Sequence, residues 1–280
     1  MLRAGGGIAL RPQKRTKLRI ALGRVYYTLL RYIKWYFGGT RFAKTRRGIT
    51  YPVVVFRHRT PLIRKLKDVE MWLQYNKVKT LAIAVEKVNG VVINPGETFS
   101  FWKLIGRPTK RKGYADGMVL LYGGFRPGIG GGLCQLSNLI YWMTLHTPLT
   151  VTERHRHSYD VFPDSNRTQP FGSGATCVYN YIDLQVKNDT GHPYRLCVRL
   201  TDEYLEGEWR TLSEPEYCYE VYEKEHSITH EIWGGYVRHN VISRRVYRRK
   251  TGDLVGDEYI TENHAVMMYQ PFLKEGSGIK

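Results

Sequence analysis

The spacing of hydrophobic and polar residues first becomes regular near residue 16. Over residues 16–37 apolar side chains recur three or four positions apart, which places them on one face of a helix. This face comprises Leu22, Val25, Leu29, Ile33 and Tyr36. Basic side chains occupy the other side, and Gly38 with Gly39 ends the pattern. The spacing predicts an amphipathic helix whose apolar face fits either a membrane or the body of the same protein.

Helical and strand-like patterns alternate through the rest of the chain. Residues 68–90 are typical of two short consecutive helices, and residues 133–147 of one apolar helix that Pro148 ends. Period-two alternation over residues 149–157, and in several later segments, predicts strands. We therefore predict an α+β fold in which the helix after Cys134 packs on an antiparallel sheet. A cysteine helix followed by a histidine strand is the order that papain-like and transglutaminase-like folds use.

Three regions follow from these patterns. Residues 1–49 are predicted to form a basic helical arm that begins with a flexible tail over residues 1–15. Residues 50–212 are predicted to form the domain that carries the functional site. Residues 213–280 read as a β-rich C-terminal segment.

The net charge of +18 is concentrated in the first quarter of the chain. Residues 1–67 contain 18 Lys and Arg and no Asp or Glu, whereas the remainder carries 25 bases and 25 acids. Such an asymmetry predicts contact with an anionic surface, and we expect residues 16–37 to meet an anionic membrane. Binding of nucleic acid by the arm's aromatic side chains is the weaker alternative. Because neither a secretory signal nor a transmembrane run is evident, we expect a cytoplasmic protein or one peripheral to the inner membrane face.

A cysteine directly before the apolar helix is the first candidate for chemistry. Cys134 follows three glycines, Gly130, Gly131 and Gly132, which permit a tight turn and leave room for a substrate. The free N–H groups and dipole of a helix start lower a thiol pKa and can hold an oxyanion. We also place Gln135 and Ser137 near the substrate. None of the four cysteines forms a C-x-x-C pair, so a zinc knuckle is not indicated.

A cysteine nucleophile needs a base and a group that orients it. The strand predicted over residues 149–157 offers His155 and His157, and the following strand offers Asp183 or Asn180 as the orienting group. The two histidines with Cys134 would also suit zinc, but no further residue has ligand spacing, and we predict neither a metal nor another cofactor. A pocket that only binds a peptide ligand is the alternative to an enzyme.

Five motifs resemble, in this order, those of the VanW family. They are NPGETFSFWKLIG, GYADGMV, PGIGGGLCQLSNLIYW, ERHRHSYDVFP and YNYIDLQVKNDTG, and the resemblance extends over residues 50–200. The family is named for an accessory protein of vancomycin-type glycopeptide-resistance gene clusters. Some of its extracellular members look like transpeptidases that use a cysteine to make L,D-type cross-links in peptidoglycan.

The resemblance implies roles for two residues. Cys134 in GGGLCQ matches the nucleophile, and His157, the histidine before serine in ERHRHS, matches the base. The substrate implied is a peptidoglycan peptide stem or its precursor, with cysteine-dependent acyl transfer as the reaction. A precursor-binding or scaffold protein linked to glycopeptide resistance is the alternative that the same resemblance leaves open.

Overall fold

The computed structural model describes residues 16–45, 50–64, 70–121, 123–163 and 169–271; the predicted tail over residues 1–15 lies outside them. The helices in this part of the chain are α1 (Lys17–Phe37), α2 (Met71–Val88), α3 (Phe101–Ile105) and α4 (Cys134–Leu145). The strands before α4 are β1 (Lys44–Thr45), β2 (Val53–Pro61), β3 (Val91–Ile93), β4 (Thr98–Ser100), β5 (Asp116–Leu121) and β6 (Gly124–Ile129). Those after it are β7 (Thr150–Glu153), β8 (Tyr159–Asp160), β9 (Gln185–Lys187), β10 (Tyr194–Leu200), β11 (Tyr204–Thr211), β12 (Tyr217–His230), β13 (Tyr236–Arg248) and β14 (Leu254–Met267).

The fold is mixed α+β and its sheets are mainly antiparallel. The largest sheet has the strand order β1-β3-β10-β11-β2, and a second has the order β12-β13-β14-β8, in which only β8 runs parallel to its neighbour. A small sheet, β4-β9-β7, and the hairpin β5-β6 complete the described strands. Long non-local antiparallel pairings of this kind are what the alternating segments predicted.

Helix α4 forms the centre of the core. Almost every side chain from Leu136 to Leu145 is buried, because the helix is covered on several sides. Strand β11 supplies one of these sides, where Gly207 lets Leu139 and Met143 approach and where Trp209 Nε1 donates to Thr144 Oγ1 at 3.2 Å. A helix that is apolar all round is expected in such a position.

The second sheet closes the C-terminal end of α4. Arg244 on β13 donates from Nη1 to the carbonyl oxygens of Leu145 at 3.0 Å and of Thr147 at 2.9 Å. His146 Nδ1 lies 3.0 Å from the carbonyl oxygen of Tyr219 on β12. The two bonds from Arg244 satisfy carbonyls at the end of α4, and the His146 contact ties the residue after the helix to β12.

Helix α1 docks on the body through an unexpected face. Its buried side chains are Arg31 and Trp35, whereas the predicted apolar stripe points away from the body. Arg31 forms a two-pronged ion pair with Glu153 at 2.7 and 2.5 Å, and Trp35 offers its carbonyl oxygen to Lys103 Nζ at 3.1 Å. The bounds of α1 match the prediction. The apolar stripe was predicted to contact either a membrane or the body of the protein, and the structure excludes contact of the stripe with the described body.

Two other predicted elements are wrong in their extent. Residues 70–90 contain one helix, α2, whose buried side runs from Leu73 to Val88 and includes the polar side chains of Gln74, Lys77 and Thr80. The strand predicted over residues 149–157 ends at Glu153, where β7 loses its partner β9. The papain-like arrangement is therefore not confirmed, since neither His155 nor His157 stands on the strand beside the cysteine helix.

Candidate active site at the start of helix α4

The glycine loop before α4 is packed and does not leave an open channel at these three positions. Gly130 and Gly132 have φ angles of +77° and +92°, which favour glycine. A methyl group on Gly131 would collide with the carbonyl group of Gly117 on β5, and one on Gly132 would collide with the side chain of Lys77. Close packing against Pro108, β5 and α2 accounts for glycine at the three positions, and their role in substrate binding stays a prediction.

Lys77 is a functional candidate that the sequence did not reveal. It lies on α2, is 8% exposed, and packs its aliphatic stem on Gly132. Burial, with a smaller effect from the charge of Arg64, lowers the pKa of Lys77 to about 8. Its Nζ donates to Gln74 Oε1 at 2.8 Å. No motif signals this lysine, because its burial depends on the loop that crosses it.

Cys134 is the first residue of α4, as predicted, but its thiol is not activated in the way the sequence suggested. The Sγ atom lies 3.8 Å from the carbonyl oxygen of Cys177, to which it can donate. Burial raises the pKa of the Cys134 thiol and outweighs the hydrogen bonds that lower it. The expectation of a lowered pKa is therefore wrong for this structure, and the thiol is protonated at neutral pH.

The two polar neighbours of Cys134 are already engaged with the protein. Gln135 Nε2 donates to Thr60 Oγ1 at 3.0 Å and to the carbonyl oxygen of Pro61 at 2.9 Å. Ser137 Oγ lies 2.7 Å from the carbonyl oxygen of Ala175, to which it donates. Both side chains hold α4 to neighbouring segments, and any oxyanion would have to rely on backbone N–H groups.

A carboxylate and an imidazole form a pair beside the Cys177 segment. His155 Nε2 lies 3.1 Å from Glu153 Oε1, and the main-chain oxygen of His155 accepts from Thr176 N at 2.8 Å. Burial opposes ionisation of Glu153, but hydrogen bonds from His155 and Arg31 outweigh it and lower the pKa of Glu153 to about 2. Glu153 is thus an ionised partner for His155, a role that the sequence analysis did not assign.

His157 has a different environment. Burial, together with the charge of Arg156, lowers the pKa of His157, so its imidazole is neutral at pH 7. No hydrogen bond involves its ring among the described residues. The side chain is therefore available as a proton acceptor, but no group fixes its orientation.

Asp183 and Asn180, the two candidates for an orienting group, are both buried. Asp183 accepts hydrogen bonds from Ser100 Oγ at 2.6 Å and Trp102 N at 3.0 Å, and thereby anchors the first turn of α3. Burial raises the pKa of Asp183 to about 6, against the effect of these bonds. Both amide atoms of Asn180 lack a hydrogen-bond partner within the described part of the chain. Within the described part of the chain, neither side chain makes a hydrogen bond to a histidine.

The described residues contain neither a cluster of metal ligands nor a membrane-spanning helix. Within residues 16–45, 50–64, 70–121, 123–163 and 169–271, no group of three or more His, Cys, Asp or Glu side chains is placed to hold a metal ion. In the same ranges no helix is both long enough and apolar enough to cross a membrane.

The fold and the site define the class of protein. It is an α+β protein with a cysteine at the start of its central helix and a Glu–His pair nearby. The family model of VanW-like proteins matches residues 76–210. The vancomycin B-type resistance protein VanW of Enterococcus faecalis is 34% identical over 233 residues, which are 83% of this chain and 84% of the relative. The chain therefore belongs to the VanW family.

A second relative matches over a shorter part. An uncharacterized protein, YoaR, of Bacillus subtilis is 27% identical over 113 residues, which are 40% of this chain and 36% of the relative. No solved structure matches the chain. The first relative, through its name, links the family to vancomycin resistance.

Proposed function

We propose that this protein performs cysteine-dependent acyl transfer on the peptide stems of peptidoglycan, in the manner of an L,D-transpeptidase. The observation that carries the proposal is the position of Cys134 at the start of α4, next to Cys177. The neighbour of Cys177 in the chain, Thr176, donates its N–H to the carbonyl oxygen of His155, the histidine of the Glu153–His155 pair. A nucleophile, a base and a group orienting the base are the minimum that such a reaction needs. The relative named for vancomycin resistance supports the cell wall as the setting.

The reaction would proceed through a thioester. His155 accepts the thiol proton of Cys134 while Sγ attacks the carbonyl carbon of a peptide bond in the donor stem. The tetrahedral intermediate expels the amine, which takes the proton from the imidazolium. An acceptor amine then attacks the thioester carbonyl, the carbon–sulfur bond breaks, and the thiol regains a proton. At the first turn of α4 the N–H groups of Gln135, Leu136 and Ser137 already donate to carbonyl oxygens of the preceding loop. The oxyanion would therefore take the N–H of Cys134.

The raised pKa of Cys134 makes the base essential in this proposal. A thiol that is protonated at neutral pH attacks only when a base takes its proton during the reaction. We assign this role to His155, because ionised Glu153 orients its ring at 3.1 Å and stabilises the imidazolium. The family resemblance favours His157, which has no such partner, so the two histidines provide a matched comparison.

The test is a covalent adduct on Cys134. We expect mass spectrometry after incubation with defined muropeptides to detect a stem peptide joined to this residue. Cys134→Ala abolishes the adduct, whereas Cys197→Ala on the distant strand β10 leaves it unchanged. His155→Ala slows its formation by about 100-fold or more, and His157→Ala by less than about tenfold. Equal loss in both histidine variants would overturn the assignment of the base.

A second candidate function is binding of a peptidoglycan precursor without catalysis. Its specific support is the closed state of the site, in which the thiol is protonated and both Gln135 and Ser137 are bound to protein carbonyls. In that case the wild-type protein forms no adduct with any muropeptide. Cys134→Ala then retains the wild-type Kd in titration calorimetry.

A further inference from the structure

The outward face of α1 is an uncovered apolar surface. Six side chains form the stripe along this face, and each is between 54% and 70% exposed: Leu18, Leu22, Val25, Leu29, Ile33 and Tyr36. Successive members are three or four residues apart, so they lie along one line of the helix. Phe37 extends the surface at the C-terminal end and is 86% exposed. Contiguous apolar patches of this kind mark interaction sites.

The opposite face of α1 is firmly attached to the protein. Arg31 is 7% exposed and binds Glu153 through both guanidinium nitrogens, with a further hydrogen bond to the carbonyl oxygen of Tyr181 at 3.2 Å. Tyr32 Oη lies 2.9 Å from Tyr179 Oη. The stripe therefore cannot turn inward without breaking this ion pair and leaving the partly buried Glu153 without its arginine, which is costly.

Exposed basic side chains occupy the rest of the surface of α1. Arg19 lies beside the stripe and Lys34 lies further round the helix. Lys17 and Arg24 precede Arg31 by multiples of seven residues, so they share its side of the helix and are exposed there. No acidic residue occurs in residues 1–67, which contain 18 Lys and Arg. An apolar stripe on a helix that is otherwise basic and free of acids matches the boundary between anionic headgroups and acyl chains.

We propose that α1 lies in the surface of an anionic lipid bilayer, with its stripe in the acyl region and its exposed basic side chains among the headgroups. Charge complementarity selects a membrane as the occupant. A second copy of the stripe would bring the same cations together and repel. Because Arg31 joins α1 to Glu153, the candidate active site is held at a fixed position close to the lipid surface.

The test uses the full chain and vesicles. We expect the protein to sediment with vesicles of mixed phosphatidylcholine and phosphatidylglycerol and not with phosphatidylcholine alone, and added salt to weaken binding. The double variant Leu22→Glu with Leu29→Glu should lower the partition coefficient by roughly 100-fold, since it removes apolar contact and adds two repelled charges. Both positions are more than half exposed, so folding is preserved.

The matched control is Leu212→Glu with Leu254→Glu. These leucines are 47% and 57% exposed and lie outside α1, and the change in net charge is the same. We expect this control to bind vesicles nearly as the wild type does. Equal losses in the two double variants would overturn the proposal. The proposal would also be overturned, in favour of a second copy of this chain, by one further result: the lipid-free wild type dimerises, and Leu22→Glu with Leu29→Glu abolishes the dimer.

Discussion

Helices α1 and α4 are both rich in apolar residues, yet the protein uses them in opposite ways. Nearly all side chains of α4 are buried between sheets, and its polar groups are tied to neighbouring carbonyls. In α1 the apolar side chains are exposed, and the buried residues are Arg31 and Trp35. The difference teaches that an apolar stripe identifies a contact surface without identifying the partner. A specific ion pair decides which face of α1 meets the protein.

The largest contrast is expected from the same substitution in the two helices. Leu139→Ala in α4 should lower the free energy of unfolding by about 3 kcal/mol, because it leaves a cavity at a position with no solvent exposure. Leu29→Ala in α1 should change it by less than about 0.5 kcal/mol. Urea unfolding followed by circular dichroism measures both. Comparable losses would mean that the α1 stripe is covered by the protein after all.

A pair of glycines sharpens the contrast. Gly131→Ala should destabilise the protein by about 2–3 kcal/mol, because the new methyl group meets the backbone of Gly117, which cannot move easily. Gly23→Ala in α1 has nothing within 4 Å and should stabilise the helix by about 0.5–1 kcal/mol. Thermal denaturation of the two variants should shift Tm in opposite directions. A shift of equal sign would contradict the packing described for the glycine loop.

Removal of the ion pair under α1 tests what fixes that helix. Arg31→Met should cost about 2 kcal/mol, less than for a fully buried pair because Glu153 remains partly exposed. The double variant Arg31→Met with Glu153→Gln should recover part of this loss, since no unpaired charge remains. Urea unfolding completes the double-mutant cycle. Additive losses would show that the two side chains do not interact.

The smallest effect concerns pH. The pKa of Glu153 falls from its ordinary value of 4.5 to about 2 on folding, so its ionised form stabilises the native state. This stability is present above pH 4.5 and is lost as the pH falls towards 2. We expect a loss of about 1 kcal/mol after allowance for partial exposure. The measurement is the free energy of unfolding at a series of pH values. Glu153→Gln should lose this dependence on pH, whereas Glu86→Gln, at an exposed position of α2, should retain it.

The raised pKa of Asp183 acts in the other direction. Its pKa of about 6 lies above the ordinary 3.8, so its contribution is greatest below pH 3.8 and is lost as the pH rises through 6. Asp183→Asn should therefore flatten the decline in stability between pH 4 and pH 6. If the decline in stability is unchanged in this variant, another titrating group causes it.

Local patterns predicted those features of the fold that depend on neighbours in the sequence. The bounds of α1 follow from its period and from Gly38, and the start of α4 at Cys134 follows from the glycines before it. The docked face of α1 could not be predicted, because Arg31 meets Glu153, which is 122 positions away. The α2 segment was predicted as two helices, because polar residues interrupt its apolar positions. In the structure three of these polar residues, Gln74, Lys77 and Thr80, are buried along one helix.

In the candidate site, too, the sequence predicted the local features and missed those that depend on distant segments. Cys134 stands where its motif placed it, but its pKa depends on burial by segments that are distant in the sequence. Lys77 and the pairing of Glu153 with His155 were missed for the same reason. Alternation placed the two histidines on one strand, and the end of β7 at Glu153 separates them from it.

The hydrogen bonds from Arg244 to the last carbonyls of α4 have a consequence for dissecting the chain. The segment that the family model recognises ends at residue 210, and the side chain that completes its central helix comes from β13 beyond that limit. A fragment cut after residue 212 would carry every residue of the proposed chemistry and still fold poorly. Work on the VanW-like part of this protein should therefore keep the two long hairpins that follow it.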